Sequence, residues 1–260
     1  MAMIVLAHGV LGFGNPFGLP TFLNYFNGVA GHLRRLGHDV FVPQVNPFGS
    51  IAQRGNELAD QIRRHVPAGR AVHVIAHSMG GLDARHAITN VFKSSQPVTT
   101  LVTIGTPHHG SPVADAIANK SDPLFAHIPA LLLVPLERNA GALHELTTDF
   151  CMHFDDTTPD VEGVTYVEFA GDASKGGHEL FLFQLAAIIG HLKGEVNDGV
   201  VTKSSAIRRN PDRLEPLDWP VDHAGEIGWS LASPLPIETE LPLIAPPPHF
   251  AHYEEIAKLF

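Results

Sequence analysis

The sequence predicts an α/β domain built on a mostly parallel central sheet of about six strands, with helices on both faces. Three observations carry this. Short apolar, β-branched runs alternate with helix-patterned segments along the chain. Charged residues make up 17% of the chain against 44% apolar, which suits a sheet buried on both sides. A β-branched strand also runs directly into a tight, small-residue turn and then a helix at residues 72–92. With 260 residues and no linker between two composition regimes, residues 1–260 read as a single domain.

The elements follow in order. Met3–Ala7 is an apolar run ending at His8-Gly9, read as a buried strand feeding a glycine-rich loop. Residues 21–36 have helical spacing, with Gly37 as C-cap. Val40–Val42 is a second strand, stopped by Pro43, and Glu57–His65 a helix ending before Pro67. Val72–Ala76 is the third strand, followed by the turn HSMGG and a helix over Leu82–Phe92. Val98–Ile104 and Val164–Ala170 are further strands, Leu180–Leu192 is an apolar helix, and Leu214–Leu217 is a short last strand. Proline-rich residues 233–248 wrap the surface before a C-terminal helix from about Phe250.

Bulk properties exclude several classes. A net charge of −10 offers no basic patch for phosphates, so no nucleic-acid partner is expected. No run reaches the roughly 18 apolar residues of a membrane-spanning helix. The single cysteine, Cys151, rules out an intrachain disulfide. The N-terminus MAMIVLAHGV lacks the pattern of a secretory leader, which favours the cytoplasm, with a mature secreted form as the alternative.

The most informative segment is VHVIAHSMGG, residues 72–81. Strand, A-H-S-M-G turn and helix form the context of the G-x-S-x-G nucleophile elbow, with Ala76 in place of the first glycine, and this context specifies the α/β-hydrolase version of the fold. Ser78 is the candidate nucleophile, and the small residues Ala76 and Gly80 are needed because the turn is too tight for larger ones. A serine needs a base, and the base an acid, in the chain order Ser, Asp or Glu, His. Asp172, at the end of a strand, and Asp198, in the turn Asn-Asp-Gly, compete as acid. His223, His178, His191, His249 and His252 compete as base, and spacing does not choose among them. The amide of Met79, directly after the nucleophile, is one candidate oxyanion donor, with the loop His8-Gly9-Val10 supplying the other. Gly9 and Gly12 let that loop approach a substrate closely, and His8 is read as its prop.

Seven segments in register resemble the bacterial true lipases of the Pseudomonas, Burkholderia and Proteus group. They are HGVLGFG, residues 24–58, TIGTPHHGSPVAD, LHELTTDFCMHF, GVTYVEFAGD, NDGVVTKSS and VDHAGEIGW. The resemblance implies Asp198 rather than Asp172 as acid, His223 as base and Val10 as the second oxyanion donor. It implies a carboxylic ester hydrolase working through an acyl-enzyme on an ester or lipid substrate, with transient contact to a lipid interface. Acyl transfer to an alcohol, polyester depolymerisation, and a non-hydrolytic receptor on the same fold are the alternatives.

The sequence also departs from that family. Its calcium ligands would fall on Gly225 and Trp229, so the calcium site is expected to be lost and no cofactor is expected. The second cysteine of the family's disulfide corresponds to Ser204, leaving Cys151 as a buried apolar residue. The lid-like segment, about 115–143, is short and includes FAHIPALLLVPL, which implies either a mobile flap over an acyl pocket or an ordinary buried helix. A short flap would favour shorter or more soluble esters. Asp83, Arg85, His86, His108 and His109 are expected to be structural. Phe13, Phe17, Phe22, Tyr25 and Phe26 are expected to divide between core and acyl pocket.

Overall fold

The computed structural model describes residues 1–10, 25–128, 133, 140–175, 182–208, 219–229 and 247–260. Within these, β1 (Met3–Ala7), β2 (Asp39–Phe41), β3 (Val72–His77), β4 (Val98–Ile104) and β5 (Thr165–Phe169) form one parallel sheet in the order β2-β1-β3-β4-β5. The expected strand at Leu214–Leu217 lies outside the described residues. Just after it, Trp219 makes a parallel bridge with Gly171, beyond the end of β5.

Both faces of the sheet are covered, as near-continuous apolar strands require. Met3, Val5, Ala7, Val74 and Ala76 face a cluster shared with Leu58, Ile62, Ala84 and Ile88. Ile4, Leu6, Ile75, Val102 and Ile104 face the opposite cluster, with Val29, Leu33, Phe250 and Tyr253. The alternation follows the period of two along each strand. Each fully buried Leu or Ile contributes about 1.5–3 kcal/mol.

On the first face lie α2 (Ile51–His65) and α3 (Met79–His86), which continues as a π turn over Ala87–Phe92. Helix α2 begins six residues before the expected Glu57. Ser50 caps it, its Oγ accepting from the Gln53 amide at 3.1 Å, a signal present in S-x-x-Q. On the second face lie α1 (Val29–Arg35) and the C-terminal helix Pro248–Ala257. In the lid-like segment, a helix at Pro112–Ala118 and a 3₁₀ turn at Pro123–His127 lead into a stretch where only Leu133 is described before Ala140–His144. Phe13, Phe17, Phe22 and Gly12 lie outside the described residues, whereas Tyr25 and Phe26 belong to the core of the second face.

Candidate active site

Between β3 and α3 the chain turns on one residue. Ser78 has φ 56° and ψ −134°, a conformation an L-residue holds at about 1–3 kcal/mol of strain. Its amide donates to Ile104 O on β4 at 2.9 Å, which pins the turn to the sheet. A Cβ on Gly80 would sit 2.6 Å from Ala7 O, and one on Gly9 would sit 2.7 Å from Ser78 Cβ. The small residues are therefore dictated by close approach of β1 and its loop to the elbow. Met79 is the first residue of α3, where amides have no acceptor within the helix. Val10 packs against the large apolar cluster that includes Met79, Ile51 and Leu82.

The loop carrying Val10 is fixed by two buried groups. His8 Nδ1–H donates to Gly9 O at 2.9 Å and Nε2 accepts from the Val45 amide at 3.3 Å. Burial, with the Arg54 charge, lowers His8 to about 4 and keeps it neutral for both bonds. It is a prop, as expected. Arg54 of α2, fully buried, donates to His8 O at 2.8 Å, to Asn46 O at 2.9 Å and to Asp83 Oδ2 at 2.8 Å. Sequence reasoning missed Arg54, because a lone arginine on an amphipathic helix reads as solvated.

The rival acids and bases separate clearly. His223 Nδ1–H donates to Asp198 Oδ2 at 2.7 Å, and the His223 amide donates to Asp198 O at 2.9 Å. Asp198 Oδ1 accepts from the amides of Val200 and Val201, so the Asn-Asp-Gly turn aims its second oxygen at the imidazole. Asp172 instead bonds Ser174 and Lys175. His249 bonds Asn27 O, His252 stacks on Trp219, and His191 lies in the last turn of the helix Leu182–Lys193. His178 lies outside the described residues. Burial would depress His223, but Asp198, with Glu226 beside it, outweighs this and raises it. Burial raises Asp198 against the pull of His223.

His223 sits beside the elbow through His77, the residue before Ser78. The two rings lie 4.4 Å apart between centroids, and His77 Nε2–H reaches His223 O at 3.1 Å. His77 Nε2 also lies 2.9 Å from Glu226 Oε2. Sequence reasoning missed Glu226 and His77. The available signal was the H-x-x-E spacing in VDHAGEIGW, which one helical turn at Gly225–Ile227 brings to the same side.

Among the described residues, His77, His223 and Glu226 are the one set with metal-type donor atoms within 4.8 Å of one another. These atoms already bond within the cluster, which makes it a proton-bearing network. At the positions that the resemblance gives to calcium, the Gly225 amide donates to Asp222 Oδ1 at 2.8 Å, and Trp229 Nε1–H donates to Tyr25 O at 3.0 Å. Asp83, Arg85 and His108 are buried in ion pairs and hydrogen bonds, and His109 turns away from His108 toward Ser204 O and Asp155. Cys151 is buried and free.

A family model described as a PGAP1-like alpha/beta domain matches residues 52–127. The chain is 29% identical over 210 residues to triacylglycerol lipase 2 of Saccharomyces cerevisiae, covering 76% of this chain and 63% of the yeast protein. It is 27% identical over 252 residues to a triacylglycerol lipase of Vibrio cholerae, covering 83% of this chain and 78% of that protein. The structure superposes on the lipase of Staphylococcus hyicus with a TM-score of 0.68 at 18% identity, over 99% of this chain and 95% of that one. Among the described residues, no helix is long and apolar enough to cross a membrane. The chain has the α/β-hydrolase fold and is similar over most of its length to proteins named as triacylglycerol lipases.

Proposed function

We propose that this protein is a carboxylic ester hydrolase acting on lipid-like esters through an acyl-enzyme on Ser78. The observation that carries the reading is the buried 2.7 Å bond from His223 to Asp198 beside a serine held in strain at a strand-to-helix turn. An acceptor-only carboxylate at Nδ1 keeps the proton there and leaves Nε2 with the lone pair that a base needs. Ser78 Oγ attacks the ester carbonyl as its proton passes to His223 Nε2. The amides of Met79 and Val10 receive the charge on the carbonyl oxygen, and Asp198 stabilises the imidazolium. His223 then protonates the departing alkoxide. Water, deprotonated by the same nitrogen, releases the acid and restores Ser78. No step requires a cofactor.

The finer placement, within the Pseudomonas, Burkholderia and Proteus group of lipases, is supported by the seven segments in register. The short segment between Asp115 and Leu143 supports a preference for shorter esters, checked by ranking p-nitrophenyl esters by chain length; best rates on long chains overturn it. Acyl transfer uses the same groups and is separated by product analysis with a competing alcohol. The central test is fluorophosphonate labelling with peptide mapping. Label on the Ser78 peptide, lost in Ser78→Ala together with turnover, is expected. Label elsewhere in active protein overturns the reading.

A further inference from the structure

One oxygen of Asp198 meets the base and the other meets the backbone. Oδ2 accepts from His223 Nδ1–H at 2.7 Å, while Oδ1 accepts from the amides of Val200 at 2.8 Å and Val201 at 2.7 Å. The Val201 N–H and the Val200 carbonyl are two ends of one planar peptide unit, so holding one end orients the other. The carbonyl end is held from outside the turn. Ser111 Oγ–H donates to Val200 O at 2.6 Å, across 89 residues of chain. Ser111 is buried, on the loop that follows β4.

The same oxygen also caps a helix. Ser111 Oγ accepts from the amides of Val113 and Ala114 at 3.2 and 3.4 Å, at the start of the helix Pro112–Ala118. Capping uses the lone pairs of the hydroxyl and leaves its one hydrogen for Val200 O. An acceptor alone would cap as well, so the donated bond has a separate effect. Hydrogen bonds in series strengthen one another inside a protein. Here the series runs from two helix amides through Ser111, the Val200–Val201 peptide and Asp198 to His223. Ser205 provides a contrast. Its Oγ donates to Gly110 O at 2.6 Å and accepts from the His109 amide at 3.1 Å. It joins the same two stretches of chain through bonds that do not include the Val200–Val201 peptide.

We infer that Ser111 is a positioning residue for the acid: its hydroxyl sets the Val200–Val201 peptide, which aims Asp198 at His223. This rests on reading Asp198 and His223 as acid and base. The Ser111 proton stays on Oγ throughout, and the proton that moves passes between Ser78 and His223.

Substitutions at Ser111 separate the donor from the cap. Ser111→Thr keeps both, Ser111→Gly caps nearly as well but has no hydrogen to give, and Ser111→Ala does neither. Loss of one hydrogen bond between neutral groups is expected to lower kcat about 3–10-fold in Ser111→Gly and Ser111→Ala alike, with little change in KM. Ser111→Thr is expected to stay near wild type. Stability divides the variants differently, with Ser111→Ala melting about 2 °C below Ser111→Gly. The proton NMR resonance of His223 Nδ1–H, the hydrogen given to Asp198, is expected to shift in Ser111→Gly and to hold its place in Ser111→Thr and Ser205→Ala. Wild-type kcat or an unshifted resonance in Ser111→Gly overturns the role of Ser111, as does an equal shift in Ser205→Ala. Should Ser111→Gly not fold, Ser111→Cys, close to serine in shape with a weak donor, takes its place under the same criteria. Asp198→Asn and His223→Ala distinguish the underlying reading. Near-wild-type turnover in either removes the acid-and-base assignment itself. Collapse in both, with wild-type kcat in Ser111→Gly, removes only the role of Ser111.

Discussion

Arg54 and Asp83 form a fully buried ion pair, Nη2 to Oδ2 at 2.7 Å, that joins α2 to α3 while the same guanidinium holds the carbonyl of His8. Burial raises Asp83 to about 6 even with Arg54 opposing it. The pair is thus an expensive way to connect two helices, and its third contact holds the His8-Gly9-Val10 loop to them.

Arg54→Met is expected to destabilise the fold by about 3–5 kcal/mol, because it leaves a buried carboxylate unpaired. Arg54→Met with Asp83→Leu removes both charges and is expected to recover much of that loss in urea unfolding. Turnover is not expected to return, since His8 O and Asn46 O remain unheld. Recovery of stability and kcat together would show that the pair is only structural.

The two candidate acids give opposite expectations. Asp198→Asn disturbs the proton on His223 Nδ1 and is expected to lower kcat by about 10³–10⁴-fold. Asp172→Asn touches only Ser174 and Lys175 and is expected to leave turnover essentially unchanged. Steady-state kinetics on one soluble ester settles the choice, and collapse in Asp172→Asn alone reverses it.

Much of this architecture was legible in the chain because single elements carried unambiguous patterns. Val98–Ile104 is β-branched at every position but Leu101, and the structure keeps its boundaries. Ser78 was legible because strand, small-residue turn and helix coincide. Asp198 was not legible from local pattern, since Asn-Asp-Gly reads as any tight turn and Asp172 had the better topological position; only resemblance favoured it. Glu226 left only its H-x-x-E spacing from His223, whereas His77 and Arg54 were illegible for a shared reason. Each is a buried polar group whose partners come from distant segments, 29 residues away for Arg54 and Asp83 and 149 for His77 and Glu226. Periodicity reports which face a residue occupies and says nothing of what waits there.

The elevated His223 fixes the direction of the pH dependence. Burial lowers it, while Asp198 and then Glu226 raise it above the ordinary histidine value of 6.5. As the proposed base, His223 works only when neutral, so activity is expected to be absent below its pKa and to appear as pH rises through it. The acid limb of kcat/KM for an uncharged ester is therefore expected above pH 6.5, in the alkaline range. A limb at or below that ordinary value would show that the carboxylates do not govern the imidazole.

Strain at Ser78, the proposed nucleophile, separates stability from activity. Ser78 at φ 56° lies where glycine is at ease and other residues are not. Ser78→Ala removes the hydroxyl but keeps the Cβ and therefore the strain. Ser78→Gly removes both, and the relief, about 1–3 kcal/mol, exceeds the unfolded-state entropy that glycine adds, about 0.5–1 kcal/mol. Ser78→Gly is thus expected to be more stable than Ser78→Ala by about 1 kcal/mol in urea unfolding, with turnover lost in both. Equal stabilities would mean that the turn is comfortable for an L-residue. The elbow would then be holding Ser78 without any strain that the rest of the fold must offset.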